Sequence, residues 1–306
     1  MNASYTDTVR LLLSVTPVVF ASGRFAMKGG TALNLFVQDM PRLSVDIDVV
    51  YLDAAVGRDE ALQNIAQELG IIKQVLEGQG LQVRLPANAQ GDEVRLLVTS
   101  ATAQVKVEVN FVFRGTVLPA RLKPLVATAQ ELFTTAVSVP VLAVEELYGS
   151  KLVAAMDRQH PRDIFDVMHM LSQFGWQELM IDCFVAYLAG HNRPVHEVLF
   201  PPIKSLEPAF NREFAGMTRE SVTLDTLTQT QMRLINELPG QLLPRHRAFL
   251  LSLVQGAPAW QLMPFEHLHA LPAIKWKLMN LEKLKKTHPK RFAGQHDVLA
   301  DHLTKV

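Results

Sequence analysis

The chain has 306 residues, 48% of them hydrophobic, which is enough for a sizeable core and for two domains of ordinary size and excludes a disordered or fibrous class. Lys plus Arg and Asp plus Glu are both 30, so no overall field draws the protein toward nucleic acid, and any such attraction must come from local patches. A single cysteine, Cys183, excludes an internal disulfide framework and fits a reducing compartment.

In chain order, Met1 to Arg10 shows no charged-then-apolar leader. The strongest apolar run, Leu11 to Phe20, is short of the ~18–20 residues of a membrane span, so a cytoplasmic protein with no membrane partner is expected. Thr6 to Phe20 is expected to be a helix. Phe25 to Met27 is a short strand candidate, followed by the Gly29-Gly30-Thr31 turn and the helical pattern of Thr31, Leu33, Leu35, Phe36 and Val37. The β-branched residues Val45, Ile47, Val49 and Val50 predict a strand from Val45 to Tyr51. Asp59 to Gly80 has Ala61, Leu62, Ile65, Ala66, Leu69 and Ile72 near helical spacing. Leu81 to Leu85, Glu93 to Ser100 and Gln104 to Phe113 read as three β-rich runs separated by turns at Pro86-Ala87-Asn88 and Ala101-Thr102.

From about Ala143 onward β-rich runs give way to helical patterns interrupted by Pro194, Pro201, Pro202, Pro208, Pro239, Pro244, Pro258 and Pro264. The expected fold class is therefore α+β: a small mixed-sheet domain over residues 1–140, then an all-helical domain over 141–306, with the boundary at Val139-Pro140. No repeat at a fixed period and no low-complexity segment is seen.

The chemistry-bearing pattern lies between Lys28 and Tyr51. The period-2 pleat puts Asp46 and Asp48 on one face of the expected strand, where two carboxylates are poorly tolerated without a cation. Two divalent ions ~3.5–4 Å apart on such a pair would clamp the attacking and leaving oxygens of an in-line phosphoryl displacement. Gly29 and Gly30, between a strand and a helix, would let phosphate oxygens approach bare backbone N–H groups, with Thr31 adding a hydroxyl and Arg42 and Ser44 in the connecting loop. Singly, a Gly-Gly turn is an ordinary tight turn and a D-x-D an ordinary strand end; joined at this spacing they are specific. In Gln104 to Phe111, Val105, Val107, Val109 and Phe111 alternate with Lys106, Glu108 and Asn110. Glu108 then either faces the two aspartates as a third metal ligand or proton acceptor, or belongs to the wet side of a half-exposed strand.

The wording K-G-G-T-A-L followed by R-x-S-x-D-I-D resembles the AbiEii/AbiGii-type nucleotidyltransferase toxins, which include the MenT toxins, within the DNA polymerase beta-like nucleotidyltransferase superfamily. Lys106 to Phe111, Glu145 to Ala154, Arg158 to Asp166 and Leu271 to Leu284 agree, so the likeness spans most of the chain. The resemblance implies a magnesium- or manganese-dependent transfer of nucleotides from a nucleoside triphosphate, with tRNA 3′ ends the acceptor for some members. It implies too that the sheet domain is the nucleotidyltransferase domain and that the helical domain binds the acceptor and contributes Lys151 and Asp163.

The wording E-E-L-x-x-x-K-L-x-A around Lys151 resembles the family's lysine motif, which implies a cation that meets the triphosphate. The ordinary reading of that lysine is a solvated pair with Glu145 or Asp157. R-D-x-x-D at Arg162 to Asp166 resembles the segment carrying an aspartate needed for activity, Asp163 first and Asp166 second, although acids behind Pro161 are also plain helix-start chemistry. Asp163 is expected to orient Lys151 or Arg158, the latter a second triphosphate contact.

Lys275, Lys277, Lys283, Lys285, Lys286, Lys290 and Arg291 face a single acid, Glu282, over one segment. They read as an RNA-binding patch or as the solvated face of a helix whose other side, Trp276, Met279 and Leu284, is core. The ten histidines and lone cysteine form no zinc motif. The leading expectation is a nucleotidyltransferase toxin with a cognate antitoxin, adding nucleotides to the tRNA 3′ end and so blocking aminoacylation. The alternatives are a nucleotidyltransferase acting on a small molecule or protein, and an inactive scaffold or nucleic-acid-binding protein of the same fold.

Overall fold

The apolar stripe Val9, Leu12, Val15 and Val19 winds up as one buried face of α1 (Ala3–Val19), which ends two residues after Pro17 removes a donor from its last turn. The structure, a computed structural model, describes residues 3–86 and 94–306. Ala87, Asn88 and Glu93, on which an expected turn and the expected start of a strand fall, lie outside the described residues. The chain divides into two compact units, Met1–Val144 and Glu145–Val306, and is α+β in class.

In the first unit α1 is followed by β1 (Phe25–Lys28), α2 (Gly29–Phe36), β2 (Ile47–Tyr51), α3 (Arg58–Gly78), β3 (Gln82–Arg84), β4 (Arg95–Thr99), β5 (Gln104–Asn110), β6 (Arg121–Pro124), α4 (Ala127–Phe133) and β7 (Ser138–Val141). The strands form one seven-stranded mixed sheet in the order β3-β4-β5-β2-β1-β7-β6. β1 runs antiparallel to β2, and β2 runs parallel to β5. Along β5, Val105, Val107 and Val109 are buried while Lys106, Glu108 and Asn110 are half-buried, the alternation that the pleat demands. Helices α1 and α3 cover the apolar side, α3 with Ala61, Ile65, Leu69, Ile72 and Leu76, all buried. Each large aliphatic side chain so buried stabilises the unit by roughly 1.5–3 kcal/mol.

The pair β6 and β7 has no counterpart among the expected elements. β6 is a short, exposed edge strand ending in Pro124 with no apolar alternation; β7 alternates, with Val139 and Val141 buried, but Pro140 between them argues against a strand. Val139-Pro140, the expected domain boundary, lies inside β7, where Pro140 pairs in register with Leu122 of β6.

The second unit is built from helices and turns. It contains α5 (Val144–Arg158), α6 (Pro161–Gln173), α7 (Glu178–Ala189), α8 (Val195–Leu199), α9 (Glu207–Ala209) running into a π turn at Phe210–Phe214, α10 (Leu224–Glu237), α11 (Pro244–Val254), α12 (Pro272–Thr287) and α13 (Pro289–Leu303). Pro161, Pro244, Pro272 and Pro289 each stand in the first turn of a helix, where the missing N–H costs nothing, so these prolines punctuate the unit without breaking its helices. Its core includes Tyr148, Phe184, Phe214 and Phe249, each essentially inaccessible.

Candidate active site

The turn between β1 and α2 is shaped by two missing side chains. Gly29 has φ +75°, and a Cβ there would lie 2.5 Å from Asp48 Oδ2, so only glycine admits both the left-handed backbone and the carboxylate beside it. A Cβ on Gly30 would lie 2.7 Å from Arg42 Nη2 and 2.8 Å from Ser44 Oγ. Asn34, which carried no motif signal, ties this turn to the following loop: its Nδ2 donates to Gly30 O at 2.8 Å, and its Oδ1 accepts from Arg42 N at 3.1 Å.

Two residues expected to meet the triphosphate are turned inward. Thr31 is fully buried and its hydroxyl donates to Asp46 O at 2.5 Å, 3.1 Å from Ser44 Oγ. Arg42 is buried too, with Nη1 donating to Leu43 O at 2.9 Å. Both brace the turn from beneath, and half-buried Ser44 packs beside them. β2 starts at Ile47 and not at Val45, because its partner β1 ends at Lys28, opposite Asp48, and the chain there turns into α2.

Sheet register places the acids. Lys28 of β1 is opposite Asp48 of β2, Asp48 is opposite Glu108 of β5, and Glu108 is opposite Arg95 of β4, so four charged side chains form one row across four strands. Asp46 and Lys106 precede the next register pair, Ile47 and Val107. Glu108, expected as a third metal ligand, does share the face of Asp48. Its carboxylate, however, pairs with Lys106 Nζ at 2.8 Å and Arg95 Nη2 at 3.2 Å, and Lys106 Nζ is 3.9 Å from Asp46 Oδ2. Burial pushes the Glu108 carboxyl up, but the hydrogen bond and charge of Lys106, with Arg95, outweigh it and leave the group below its ordinary range. The hydrogen bond to Glu108 likewise raises Lys106. Asp48 goes the other way: burial lifts its pKa, and the charges of Asp46 and Glu108 add to the lift against Lys28 and Lys106.

Among the described residues no three His, Cys, Asp or Glu side chains form a ready metal cluster. Asp46 and Asp48 nevertheless offer the hard carboxylate oxygens that a divalent cation takes, and the missing Gly29 Cβ lets the Asp48 carboxylate stand against the turn.

In the helical unit, Lys151 of α5 lies with its Nζ 2.8 Å from Asp163 Oδ1 and 2.9 Å from Asp166 Oδ2, both on α6, and all three side chains are buried. Arg158 closes a fork on Asp163, Nε to Oδ2 at 2.6 Å and Nη2 to Oδ1 at 3.0 Å, while its own side chain is 63% exposed. Asp157, one ordinary partner considered for Lys151, binds Arg193 instead. Burial pushes the Asp163 carboxyl up, but the charges and hydrogen bonds of Lys151 and Arg158 overwhelm that effect and hold it far below the usual carboxylate range.

The basic segment on α12 and α13 is divided. Lys275, Lys283, Lys285, Lys286, Lys290 and Arg291 are exposed. Lys277 is not: it is 4% exposed, its amine donates to Arg193 O at 2.6 Å, and burial lowers its pKa to about 8, which removes it from any RNA-facing set. Trp276 and Met279, expected in the core, are 50% and 61% exposed; the buried face of α12 is Ala273, Ile274, Lys277 and Leu281. No described helix is long and apolar enough to cross a membrane.

A family model described as nucleotidyl transferase AbiEii toxin, type IV toxin–antitoxin system, matches residues 10–280. Among solved structures, the chain is similar to MenT4, a nucleotidyltransferase toxin from Mycobacterium tuberculosis H37Rv, with a TM-score of 0.60 and 16% identity over 91% of this chain and 94% of that one. That likeness shows a shared fold. No curated protein matches the sequence. The family implies a nucleoside triphosphate substrate, a divalent metal and an antitoxin as counterpart. The motif residues from Gly29 to Asp48 and from Lys151 to Asp166 all fall inside the matched span, and the chain belongs to the AbiEii family of nucleotidyltransferase toxins, the toxin component of type IV toxin–antitoxin systems.

Proposed function

We propose that this nucleotidyltransferase transfers nucleotides from a nucleoside triphosphate to the 3′ hydroxyl of tRNA, with divalent cations, Mg²⁺ or Mn²⁺, held by Asp46 and Asp48. The observation that carries the reading is the left-handed Gly29, which lets the Asp48 carboxylate stand against the turn that opens α2. Divalent cations held by Asp46 and Asp48 would supply the positive charge that a phosphoryl displacement calls for. The remaining work falls to the chain itself. Backbone N–H groups of Gly29 and Gly30, at the start of α2, meet triphosphate oxygens, and Thr31, Asn34 and Arg42 keep that turn in shape.

In the helical unit Arg158 is the exposed cation of its cluster and is assigned to phosphate oxygens, while Asp163 fixes its guanidinium and, with Asp166, holds Lys151 buried beneath it. The exposed residues Lys275, Lys283, Lys285, Lys286, Lys290 and Arg291 supply the local positive surface for RNA that a net charge of zero does not. Nucleotides added to the tRNA 3′ end would block aminoacylation, which accounts for toxicity and for the need of an antitoxin.

Incubation with each labelled nucleoside triphosphate in turn, Mg²⁺ and total tRNA tests this directly. Label on tRNA is expected from the wild-type protein and none from Asp48→Ala. Label on a small molecule or on protein in place of tRNA moves the acceptor assignment, and transfer that survives Asp48→Ala at full rate removes the metal assignment.

A further inference from the structure

Lys106 lies inside the carboxylate face, not at its rim. Its ammonium is 2.8 Å from Glu108 Oε2 and 3.9 Å from Asp46 Oδ2, and Glu108 is the register neighbour of Asp48. Asp46, just ahead of β2, and Asp48 and Glu108 within the sheet therefore lie close to one lysine, and Glu108 is further held by Arg95 at 3.2 Å. A half-exposed pair of this kind has little value for stability, and the strand would form with many residues at this polar position. The consequence lies in what else can bind. A cation already in contact with Asp46 repels any second cation placed on the same oxygen, and with Lys106 and Arg95 on its carboxylate Glu108 is not offered as a ligand.

We propose that Lys106 is the built-in counter-cation of this site: it neutralises the acids before substrate arrives, weakens binding of a divalent cation to the nucleotide-free protein, and so makes metal loading depend on the triphosphate that brings it. This rests on the reading that Asp46 and Asp48 hold a divalent cation. Lys106 is a positioning residue in this account; its effect runs through Asp46 and Glu108. The anionic triphosphate adds negative charge to the same locality, which offsets the ammonium and allows acids, lysine and metal to coexist.

The test is titration of nucleotide-free protein with Mn²⁺, read by calorimetry or by the spin-resonance signal of free Mn²⁺, on wild type, Lys106→Met, Lys106→Arg and Asp48→Asn, each confirmed folded by circular dichroism. Lys106→Met is expected to bind Mn²⁺ about fivefold to tenfold more tightly than wild type, Lys106→Arg to resemble wild type, and Asp48→Asn to lose the binding. A non-hydrolysable triphosphate should then tighten Mn²⁺ binding less in Lys106→Met than in wild type. Equal or weaker Mn²⁺ affinity in Lys106→Met, with wild type binding normally, overturns this inference and leaves the metal assignment standing. Failure of every variant and of wild type to bind Mn²⁺, with or without the triphosphate, removes both.

Discussion

Asp163 stands twelve positions beyond Lys151 in the chain yet only 2.8 Å from it, and the same carboxylate is forked by Arg158. With Asp166 on the other side of the ammonium, two acids and two bases balance in a place where three of the four side chains are buried. Removing one partner of such a group leaves a charge uncompensated in a poorly solvated position.

Asp163→Ala is accordingly expected to destabilise the protein by about 3–5 kcal/mol, measured by urea denaturation, besides lowering transfer activity. The pH dependence follows from the depressed pKa. A carboxylate whose folded pKa is below its unfolded value stabilises the fold above the ordinary Asp range, near ~3.9, and that stabilisation is lost as pH falls through the folded value. Wild type should therefore lose stability between pH 4 and lower pH more steeply than Asp163→Asn. Equal slopes would show that the ion pairs carry no linkage.

The glycines separate strain from function. Gly29→Ala must strain a backbone at φ +75° and push a methyl group against Asp48, whereas Gly23, at φ +70°, has nothing within 4 Å of its would-be Cβ. Both substitutions are expected to cost about 1 kcal/mol or more of stability through the left-handed backbone. Gly29→Ala alone should also reduce transfer by at least about tenfold, since a carboxylate displaced by even part of an ångström loses its aim. Steady-state transfer rates on the two folded variants decide the matter.

Much of the first unit was legible because its signals are local. Alternation in Gln104 to Asn110, β-branching before Tyr51 and the paired glycines each fix a short piece of backbone; that β5 lies beside β2, with Glu108 opposite Asp48, comes from the pairing of the strands. What escaped was decided by pairing at a distance. β7 is a strand although it contains Pro140, because β1 and β6 both pair with it, and the brief alternation of Val139 and Val141 is masked by that proline. Lys106 was visible as a polar residue on the wet face, but its contact with Asp46 depends on the parallel pairing of β2 and β5. Arg42 and Thr31 looked like phosphate ligands because their chemistry suits phosphate; only packing beneath Gly30 shows them spent on the turn. On α12, a reading that assigned the largest apolar residues to the core chose Trp276 and Met279, while the actual buried stripe admits a lysine whose amine escapes to the Arg193 carbonyl.

Asp48 is expected to cost stability in the free protein. Burial and the neighbouring acids raise its pKa, so the folded state favours the protonated form, and stability falls as pH rises from the ordinary Asp range through the raised value. Above that raised value the cost is fully present. Asp48→Asn, measured in chelator-treated protein, should melt about 2–4 °C above wild type while losing transfer activity, the usual trade between a strained site and a stable fold. A lower melting temperature in Asp48→Asn would mean that the carboxylate is a structural partner and not a held-open ligand.

Lys277 allows the basic segment to be dissected. Its burial lowers the amine to about 8 against an ordinary 10.5, so the unfolded chain binds more protons between those values and stability should rise with pH across that window; below it the folded state carries the cost of a charge poorly supplied with water. Lys277→Met is therefore expected to show a flatter stability profile from pH 8 to pH 10.5 than wild type, because the titrating group is gone. For RNA the two kinds of lysine should part company. If exposed Lys283, Lys285 and Lys290 neutralise phosphates, replacing each by Ala should make the slope of log affinity against log salt shallower by about 0.7–0.9 for every phosphate left without its cation. Lys277→Met, buried and committed to the Arg193 carbonyl, should leave both tRNA affinity and that slope unchanged. Filter binding of tRNA across a salt series reads all four variants together, and a slope that fell in Lys277→Met but held in the exposed variants would reverse the assignment of this surface.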